Sequence, residues 1–556
     1  MTDTWMLVGP LLVVVAGGLV MMLVDAFTKE KAELALVTTV ILGGAGALSL
    51  GLWFGGPETV QPGLIGSFLA YDRLAHFLDL VICGGAGLAS LLAGGYLREH
   101  RIERGEFYVM LLFSAFGAMA LVRAVNLLSI FVALETLSLG VYGLVAFRRA
   151  SPRAAEGALK YFLLGSFASA VLLFGMALLY GATGQTGLGA IAAAIAEGNA
   201  APTLLILSML LLLVGLGFKV SAVPFHAWAP DAYEGAVTPA TTYMAVVVKA
   251  AVFGVMIRIF FVGFGDPELA NTDTGWPPAI AGLAAVTLVF GNLAALVQKS
   301  VKRMLAYSSI SHAGFVLLGL VAAFELRSEA AGDEPLHTVM GDEGMSAVLY
   351  YLAAYTVSNV LAFGSLVLVG SYGREAVSYQ DLAGVARRHP WVGVPFALGV
   401  LSLMGFPPTA GFFAKYYVIL AAVESGGSLV WLAVLAVVFS AIGAFYYLRV
   451  LVFLFMKQPE EGAPIAIPMR SGYVVAALTG ASYFVIRMGV TPEYYLSLVS
   501  QVGEYGGELS ATTFLWDAGL AVVASGIVAA LSTLTTGKAD EAEAADEAEA
   551  SEKAAA

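Results

Sequence analysis

The sequence holds a single cysteine, Cys83, among 556 residues. One thiol permits neither an internal disulfide nor a Cys-ligated iron–sulfur cluster. Charge is scarce as well: Asp, Glu, Lys and Arg make up 12% of the chain, about half of what a soluble domain carries. No G-x-G-x-x-G or Walker loop stands in a strand–helix context, so nucleotide binding finds no support. The first apolar run has no basic segment before it and no convincing A-x-A-like site after it. It reads as a retained helix, not as a removed signal.

Apolar residues are what the chain has in excess, 59% of it, with a mean hydropathy of +0.85. That describes a polytopic membrane protein. At about 20 apolar residues per spanning helix, there is room for roughly fourteen or fifteen spans. Apolar runs fall near 5–27, 34–54, 74–96, 107–123, 126–147, 158–181, 203–228, 239–263, 277–297, 304–324, 346–370, 391–421, 428–456 and 470–490, and 512–534 would be a fifteenth. The 63 glycines suit helices that pack closely in lipid. The net charge of −12 comes partly from the last residues, ADEAEAADEAEASEKAAA, an acidic tail that reads as disordered or as a solvated helix.

Charge in the joins gives an orientation. Basic residues collect after odd-numbered runs: Lys29 and Lys31; Arg98, Arg101 and Arg104; Arg148, Arg149 and Arg153; Lys299, Lys302 and Arg303; Arg374, Arg387 and Arg388; Lys457 and Arg470. The join after the seventh run, with Asp231 and Glu234, departs from the pattern. Joins after even-numbered runs are neutral or acidic, with Arg123 and Arg327 as isolated exceptions. The positive-inside rule then puts the odd joins in the cytoplasm and the N-terminus outside.

The seventh run and its sequel, LLILSMLLLLVGLGFKVSAVPFHAWAPDAYEGAVTPATTYMAVVVKAAV, carry the strongest signal. Pro224 should break or kink the helix, and the freed carbonyls need partners inside a bundle or beside water. Lys219 stands just before the break, and an amine at membrane depth costs at least about 2.5 kcal/mol. Lys249 follows midway along the eighth run. The twelfth run repeats the device, with Pro407 and Pro408 and then Lys415. Broken runs five apart suggest a five-helix unit repeated in inverted topology.

Glu135, in the fifth run, needs a proton or a cation there, and Lys219 is the expected partner. A pair that opens and closes would swing the proton affinity of Lys219. One pKa unit is about 1.4 kcal/mol, against about 2.3 kcal/mol for one charge crossing 100 mV. The plainer reading is a static ion pair joining two helices. Lys249 reads as a relay, because mid-helix depth leaves a long reach for snorkelling. His312, beside Tyr307, Ser308, Ser309 and Ser311, is a relay or a satisfied core histidine. His226 follows the break and could meet water. Tyr355, Ser358 and Asn359 extend the axis or serve helix packing, and Lys415 is its natural far end. Lys160 is a cytoplasmic flank or a point of proton uptake. Lys299, Lys302 and Arg303 are most simply positive-inside residues, and Asp72, Arg73, His76 and Asp79 are expected at the interface.

Four segments, EGALKYFLLGSFASAVLLFGMALLYGATG, GFKVSAVPFHAWAPDAYEGAVTPATTYMAVVVKAA, VQKSVKRMLAYSSISHAGFVLLGL and GFPPTAGFFAKYYV, closely resemble the subunit N family of bacterial proton-pumping NADH:quinone oxidoreductase, respiratory complex I. The resemblance covers roughly residues 5–490. It implies an all-α polytopic membrane protein with 14 core transmembrane helices, two inverted five-helix repeats and broken helices 7 and 12; the run 512–534 adds an extra C-terminal helix outside the usual pattern. The implied division is 1–106 for helices 1–3, 107–265 and 266–460 for the two antiporter-like repeats, 461–536 for the C-terminal helices and 537–556 for the tail. Residue by residue, the family's glutamate matches Glu135, its first-channel lysines Lys160 and Lys219, its central lysine Lys249 and its terminal lysine Lys415; His226 and His312 stand in its histidine-bearing segments as proposed relays.

The implied function is proton translocation by a membrane-arm subunit, coupled to quinone reduction elsewhere in the complex, in the bacterial inner membrane. No cofactor or metal is expected in this chain; quinone, NADH, FMN and iron–sulfur clusters belong to other subunits. Expected partners are the other antiporter-like and small membrane subunits and the bilayer, with no nucleic acid. The alternatives are a subunit of a multisubunit cation/proton antiporter, or of a membrane-bound hydrogenase or ferredoxin-dependent complex. A purely structural scaffold is disfavoured by the row of buried amines.

Overall fold

A computed structural model describes residues 2–27, 31, 33–56, 63–198, 200–265, 275–331, 343–370, 375–459, 468–502 and 514–529. Among them the chain is helical almost throughout, with isolated β-bridges and no strand. Helices are the form in which every backbone group is satisfied inside its own segment, as hydrocarbon requires. The long ones are α1 (Thr2–Phe27), α2 (Glu33–Gly55), α3 (Arg73–Glu99), α4 (Glu106–Arg123), α5 (Leu127–Val145), α6 (Pro152–Thr183), α7 (Pro202–Lys219) and α8 (Thr238–Gly263). They continue with α9 (Trp276–Leu296), α10 (Val301–Ala331), α11 (Glu343–Val369), α12 (Pro390–Met404), α13 (Ala410–Glu424), α14 (Val430–Phe455), α15 (Gly472–Val490) and α16 (Phe514–Ala529).

Thirteen of these are long and apolar enough to cross a membrane; α12, α13 and α16 are shorter. The expected twelfth run is therefore two helices, α12 and α13, flanking its break. The acidic tail expected at 537–556 lies outside the described residues. The apolar windows of α8, α10 and α11 are 94, 94 and 89% buried, whereas those of α1 and α14 are 33% buried. Lys249 and His312 stand on the buried trio, so their surroundings are protein and not lipid.

Both breaks stop where proline chemistry requires. A proline ring clashes with the carbonyl four residues back, which for Pro224 is Val220, and α7 ends at Lys219. For Pro408 it is Met404, the last residue of α12. The two ends close alike. Ser221 has φ +62° and Ala222 N–H donates to the Gly217 carbonyl at 2.8 Å; Gly405 has φ +88° and Phe406 N–H donates to the Leu401 carbonyl at 2.9 Å. A left-handed residue followed by this bond satisfies carbonyls that the helix end leaves open. At the first break Trp228 Nε1 donates to the Phe218 carbonyl (2.9 Å) and Val223 N–H to Thr287 Oγ1 (3.0 Å). Val223–Pro224 and Pro407–Pro408 are both cis.

Close approach is needed at Gly291, where a Cβ would lie 2.8 Å from the Ser311 backbone nitrogen. Its absence lets α9 lie against α10 beside the buried polar residues. Sequence reading did not foresee that α8 is π-helical at Met244–Val248 and Arg258–Gly263. Such turns often mark functional positions, and Lys249 comes straight after the first.

Candidate functional site

Lys219, Lys249, His312 and Lys415 are all buried, with 2, 3, 5 and 8% of their surface exposed. None of the three lysines forms an ion pair with a described carboxylate. Each has neutral oxygen instead. Lys219 Nζ donates to Ser138 Oγ at 2.7 Å and Tyr142 OH at 3.3 Å. It also faces the rings of Tyr142 (5.4 Å) and Tyr161 (5.8 Å), a contact that favours a cation.

The expected Glu135–Lys219 ion pair is not made. Glu135 is half-buried and accepts from Ser169 Oγ on α6 at 2.5 Å, while Lys219 is taken by Ser138, about one turn further along α5. The fifth helix presents the carboxylate and the hydroxyl to different neighbours, and sequence spacing between separate helices carries no information on that.

Lys249 Nζ donates to Ser309 Oγ (2.6 Å) and to the Ser309 carbonyl. Tyr355 OH donates to the same Ser309 Oγ at 2.8 Å, and Tyr233 OH lies 3.5 Å from it. One residue earlier, Ser308 bonds Tyr447 OH, which lies 3.1 Å from His312 Nε2, and Tyr351 OH is 2.6 Å from His312 Nδ1. The stretch around His312 thus carries two short hydrogen-bonded strings, side by side on α10. A third branch runs from Ser311 Oγ through Asn292 (2.7 Å) to Tyr446 OH (3.0 Å). At the far side, Lys415 Nζ donates to the Met404 carbonyl at 2.9 Å, at the end of α12, and to Ser440 Oγ at 3.2 Å. Its ammonium lies 5.1 Å from the Phe315 ring, three residues along from His312.

Other expected residues fall differently. His226 is half-buried with its ring 4.6 Å from Phe290 and takes no part in these strings; Tyr307 also stands outside them, facing Phe290. Asn359 donates to the Tyr355 carbonyl (2.8 Å) and Ser358 shares a 2.7 Å bond with Ser402. The first is a tie within α11 and the second joins α11 to α12. Lys160, 42% exposed, pairs with Asp231 and Glu156 at 2.7 Å each. Asp231 also pairs with Arg303 (2.6 Å), which reaches Glu234 at 3.0 Å. Burial pushes the Asp231 carboxyl up, but its hydrogen bonds from Lys160 and Arg303 outweigh that and hold it below the usual range. The acidic join after the seventh run is thereby accounted for: its carboxylates answer cations on α6 and α10.

The fold gives several charged residues partners that the sequence did not show. Lys302, expected as a positive-inside residue, is buried, donates to the Ala236 carbonyl at 2.6 Å and pairs with Glu375 at 3.3 Å. Glu375 also accepts from Tyr96 and, at 2.9 Å, from Thr238 Oγ1. Burial raises its pKa, but the Lys302 charge and these bonds bring it below the ordinary value. His76 and Asp79 are buried and not interfacial: Asp79 pairs with Arg123 and accepts from Ser49 Oγ at 2.8 Å, and Arg123 lies 3.2 Å from His76 Nδ1. Asp72 caps α3 through Ala75 N–H (2.8 Å) and binds the Arg258 guanidinium with both oxygens, at 2.7 and 2.8 Å.

Sequence reading passed over Tyr351, Tyr447, Tyr233 and Asn292. A signal existed: Tyr446 and Tyr447 interrupt an apolar run, and a buried phenol needs a hydrogen-bond partner. Tyr351 lies four residues before Tyr355, on the same face of α11.

The chain as a whole is similar to known proteins. The model of the family described as NADH:quinone oxidoreductase/Mrp antiporter, transmembrane, matches residues 124–331 and 336–443. NADH-quinone oxidoreductase subunit N 1 of Sorangium cellulosum is 50% identical over 507 residues, 88% of this chain and 97% of that protein. Subunit N of Myxococcus xanthus is 40% identical over 519 residues, 90% of this chain and 97% of that one. Among solved structures, a chain of respiratory complex I from Thermus thermophilus with bound aureothin is 34% identical with a TM-score of 0.72, covering 89% of this chain and all of that one. A chain of the Mrp complex from Dietzia shares the fold at 20% identity and a TM-score of 0.74, over 95% of this chain and 100% of its own length.

Proposed function

The chain belongs to the NADH:quinone oxidoreductase/Mrp antiporter family, among the NADH-quinone oxidoreductase N subunits, and on that premise we propose how its residues carry protons. It is a membrane-arm subunit of a proton-translocating NADH-quinone oxidoreductase. The observation that carries the residue assignment is the row Lys219, Lys249, Lys415: three buried amines, none with a described carboxylate in contact, with His312 and its phenols lying between the second and third. Such amines are costly in a static scaffold, while a group that gains and loses a proton bears the cost only in one of its states.

Lys219 holds a proton against Ser138, Tyr142 and the flanking rings. Glu135, one turn away on the same helix as Ser138, sets how strongly that proton is held. Lys249 takes the proton next. The hydroxyls of Ser309 and Tyr355 and the Ser308–Tyr447–His312–Tyr351 string connect it to the neighbourhood of Lys415, which releases it at the second break. Lys160, paired with Asp231 on the more exposed side, stands at proton uptake, and His226 serves only where water reaches the break. The two similarly closed breaks are consistent with inverted repeats over 107–265 and 266–460.

Quinone, NADH, FMN and iron–sulfur clusters belong, on this reading, to other subunits. The chain spans a bacterial cytoplasmic membrane with its N-terminus outside, between other integral subunits. Similarity favours this over the antiporter and sulfur-reductase relatives, whose chains are 20 and 23% identical. Proton uptake by inverted membrane vesicles during NADH oxidation tests the assignment: Lys249→Ala should depress uptake at matched electron flux, and undiminished uptake refutes the relay.

A further inference from the structure

Helices α2, α3, α15 and α16 border a cavity of about 2080 Å³, beyond the range of roughly 300–1,000 Å³ usual for small-ligand sites. Its walls are largely apolar. Missing side chains leave much of the space: a Cβ at Gly43, Gly84, Gly519 or Gly526 would meet no atom within 4 Å. Leu36, Leu515, Val522 and Val523 on the lining are each more than half exposed, so the cavity opens sideways to the hydrocarbon. Apolar walls facing a void forfeit their dispersion contacts, and in a membrane the available filler is an acyl chain.

One end differs in charge. Arg98 and Arg101, at and just past the end of α3, line it together with Arg470, just before α15, and with the carboxylate of Glu99. The N-terminus of α15 opens there as well and favours an anion. The opposite end is lined by Tyr495, Leu498 and Val499. All three arginines fall on the side that charge counting assigns to the cytoplasm, where basic pockets between membrane helices hold anionic headgroups. The α16 wall is tied down by Asp517, which is buried and accepts from Tyr483 OH (2.9 Å), Arg487 Nε (3.1 Å) and Tyr495 OH (2.9 Å).

We propose that this cavity binds one anionic diacyl phospholipid, with its chains in the glycine-lined groove and its phosphate among Arg98, Arg101 and Arg470. The extra C-terminal helix then forms one wall of the groove and narrows its opening to the hydrocarbon.

The test uses the whole complex, purified, stripped of lipid in detergent and re-exposed to dioleoylphosphatidylglycerol or to dioleoylphosphatidylcholine, with retained lipid counted per complex. The native complex should hold one molecule of the anionic lipid more tightly than the Arg98→Gln, Arg101→Gln, Arg470→Gln triple variant. The loss expected is about fivefold per arginine, or roughly 100-fold in all, with phosphatidylcholine unaffected. Lysine at the three positions should restore retention, which separates charge from misfolding. Gly84→Leu with Gly519→Leu should expel the lipid while all arginines remain. Equal retention of both lipids in native and triple-variant complexes overturns the proposal. So does finding a quinone, or a neighbouring subunit's helix, in the groove.

Discussion

Lys219 and Glu135 are neighbours that do not touch: the ammonium donates to Ser138 at 2.7 Å, and the carboxylate accepts from Ser169 at 2.5 Å. Glu135 and Ser138, the residue that holds the ammonium, stand about a turn apart on α5, and each partner is a neutral hydroxyl. On the proposed mechanism this separated arrangement is one state of a switch, and a direct Glu135–Lys219 pair is the other. In low dielectric the strength of such a charge pair changes steeply with distance.

Ser138→Ala removes the hydroxyl that holds Lys219 away from Glu135. A lost hydrogen bond to a charged, buried group costs about 1.5–3 kcal/mol, so coupled proton uptake should fall roughly ten-fold or more with the complex still assembled. Ser169→Ala should act less, because Glu135 is only half-buried. Vesicle acidification at matched NADH oxidation rates checks both.

Tyr355→Phe keeps the ring beside Lys249 (5.5 Å to the ammonium) but deletes the donor to Ser309. The cost expected is about 0.5–1.5 kcal/mol, visible as a several-fold slower proton transfer with unchanged assembly. Removing His312 should act more strongly, since both of its nitrogens are engaged by phenols.

Glu375→Gln leaves buried Lys302 without its counter-ion. Breaking a buried pair from one side costs about 3–5 kcal/mol, so the variant should melt well below the native protein, and Glu375→Gln with Lys302→Met should recover part of the loss. The pH dependence has a definite sign. The folded Glu375 carboxyl titrates below its ordinary value near 4.5; its contribution is therefore fully present above that value and is lost as pH falls through the lower folded one. Thermal melting between pH 7 and pH 3 should show an acid loss in the native chain that the Gln variant lacks.

The overall orientation can be read with one thiol. Cys83 is buried and unpaired, so a Cys83→Ser background is free of labelling. Arg149→Cys and Gln185→Cys place thiols at two exposed positions on either side of α6. A membrane-impermeant maleimide should label the first only from the cytoplasmic side and the second only from outside; the reverse pattern would invert the topology.

Much of this was legible in the sequence for physical reasons. Apolar runs of membrane length marked nearly every helix, because hydrocarbon tolerates no other backbone form. Pro224 and Pro408 marked the breaks to within a turn, because the clash with the preceding carbonyl is local. Lys219, Lys249, His312 and Lys415 stood out because charge or imidazole in an apolar run has few reasons to be there. What escaped was pairwise. Nothing along α3 shows that Asp79 will meet Arg123, and nothing near Lys302 announces Glu375, more than seventy residues away and in a loop. The Ser138 that intercepts Lys219 looked like any small helix-packing residue. Side-chain partners across helices are set by helix rotation and tilt, which composition and period leave open.

The most direct measurement is proton uptake by inverted membrane vesicles during NADH oxidation, comparing the native chain with Lys219→Ala at equal assembly and equal electron flux. A clear fall in acidification while uncoupled oxidation persists is the expected result and places Lys219 on the proton route. Full acidification at the same flux would contradict it and leave the buried lysines as structural amines.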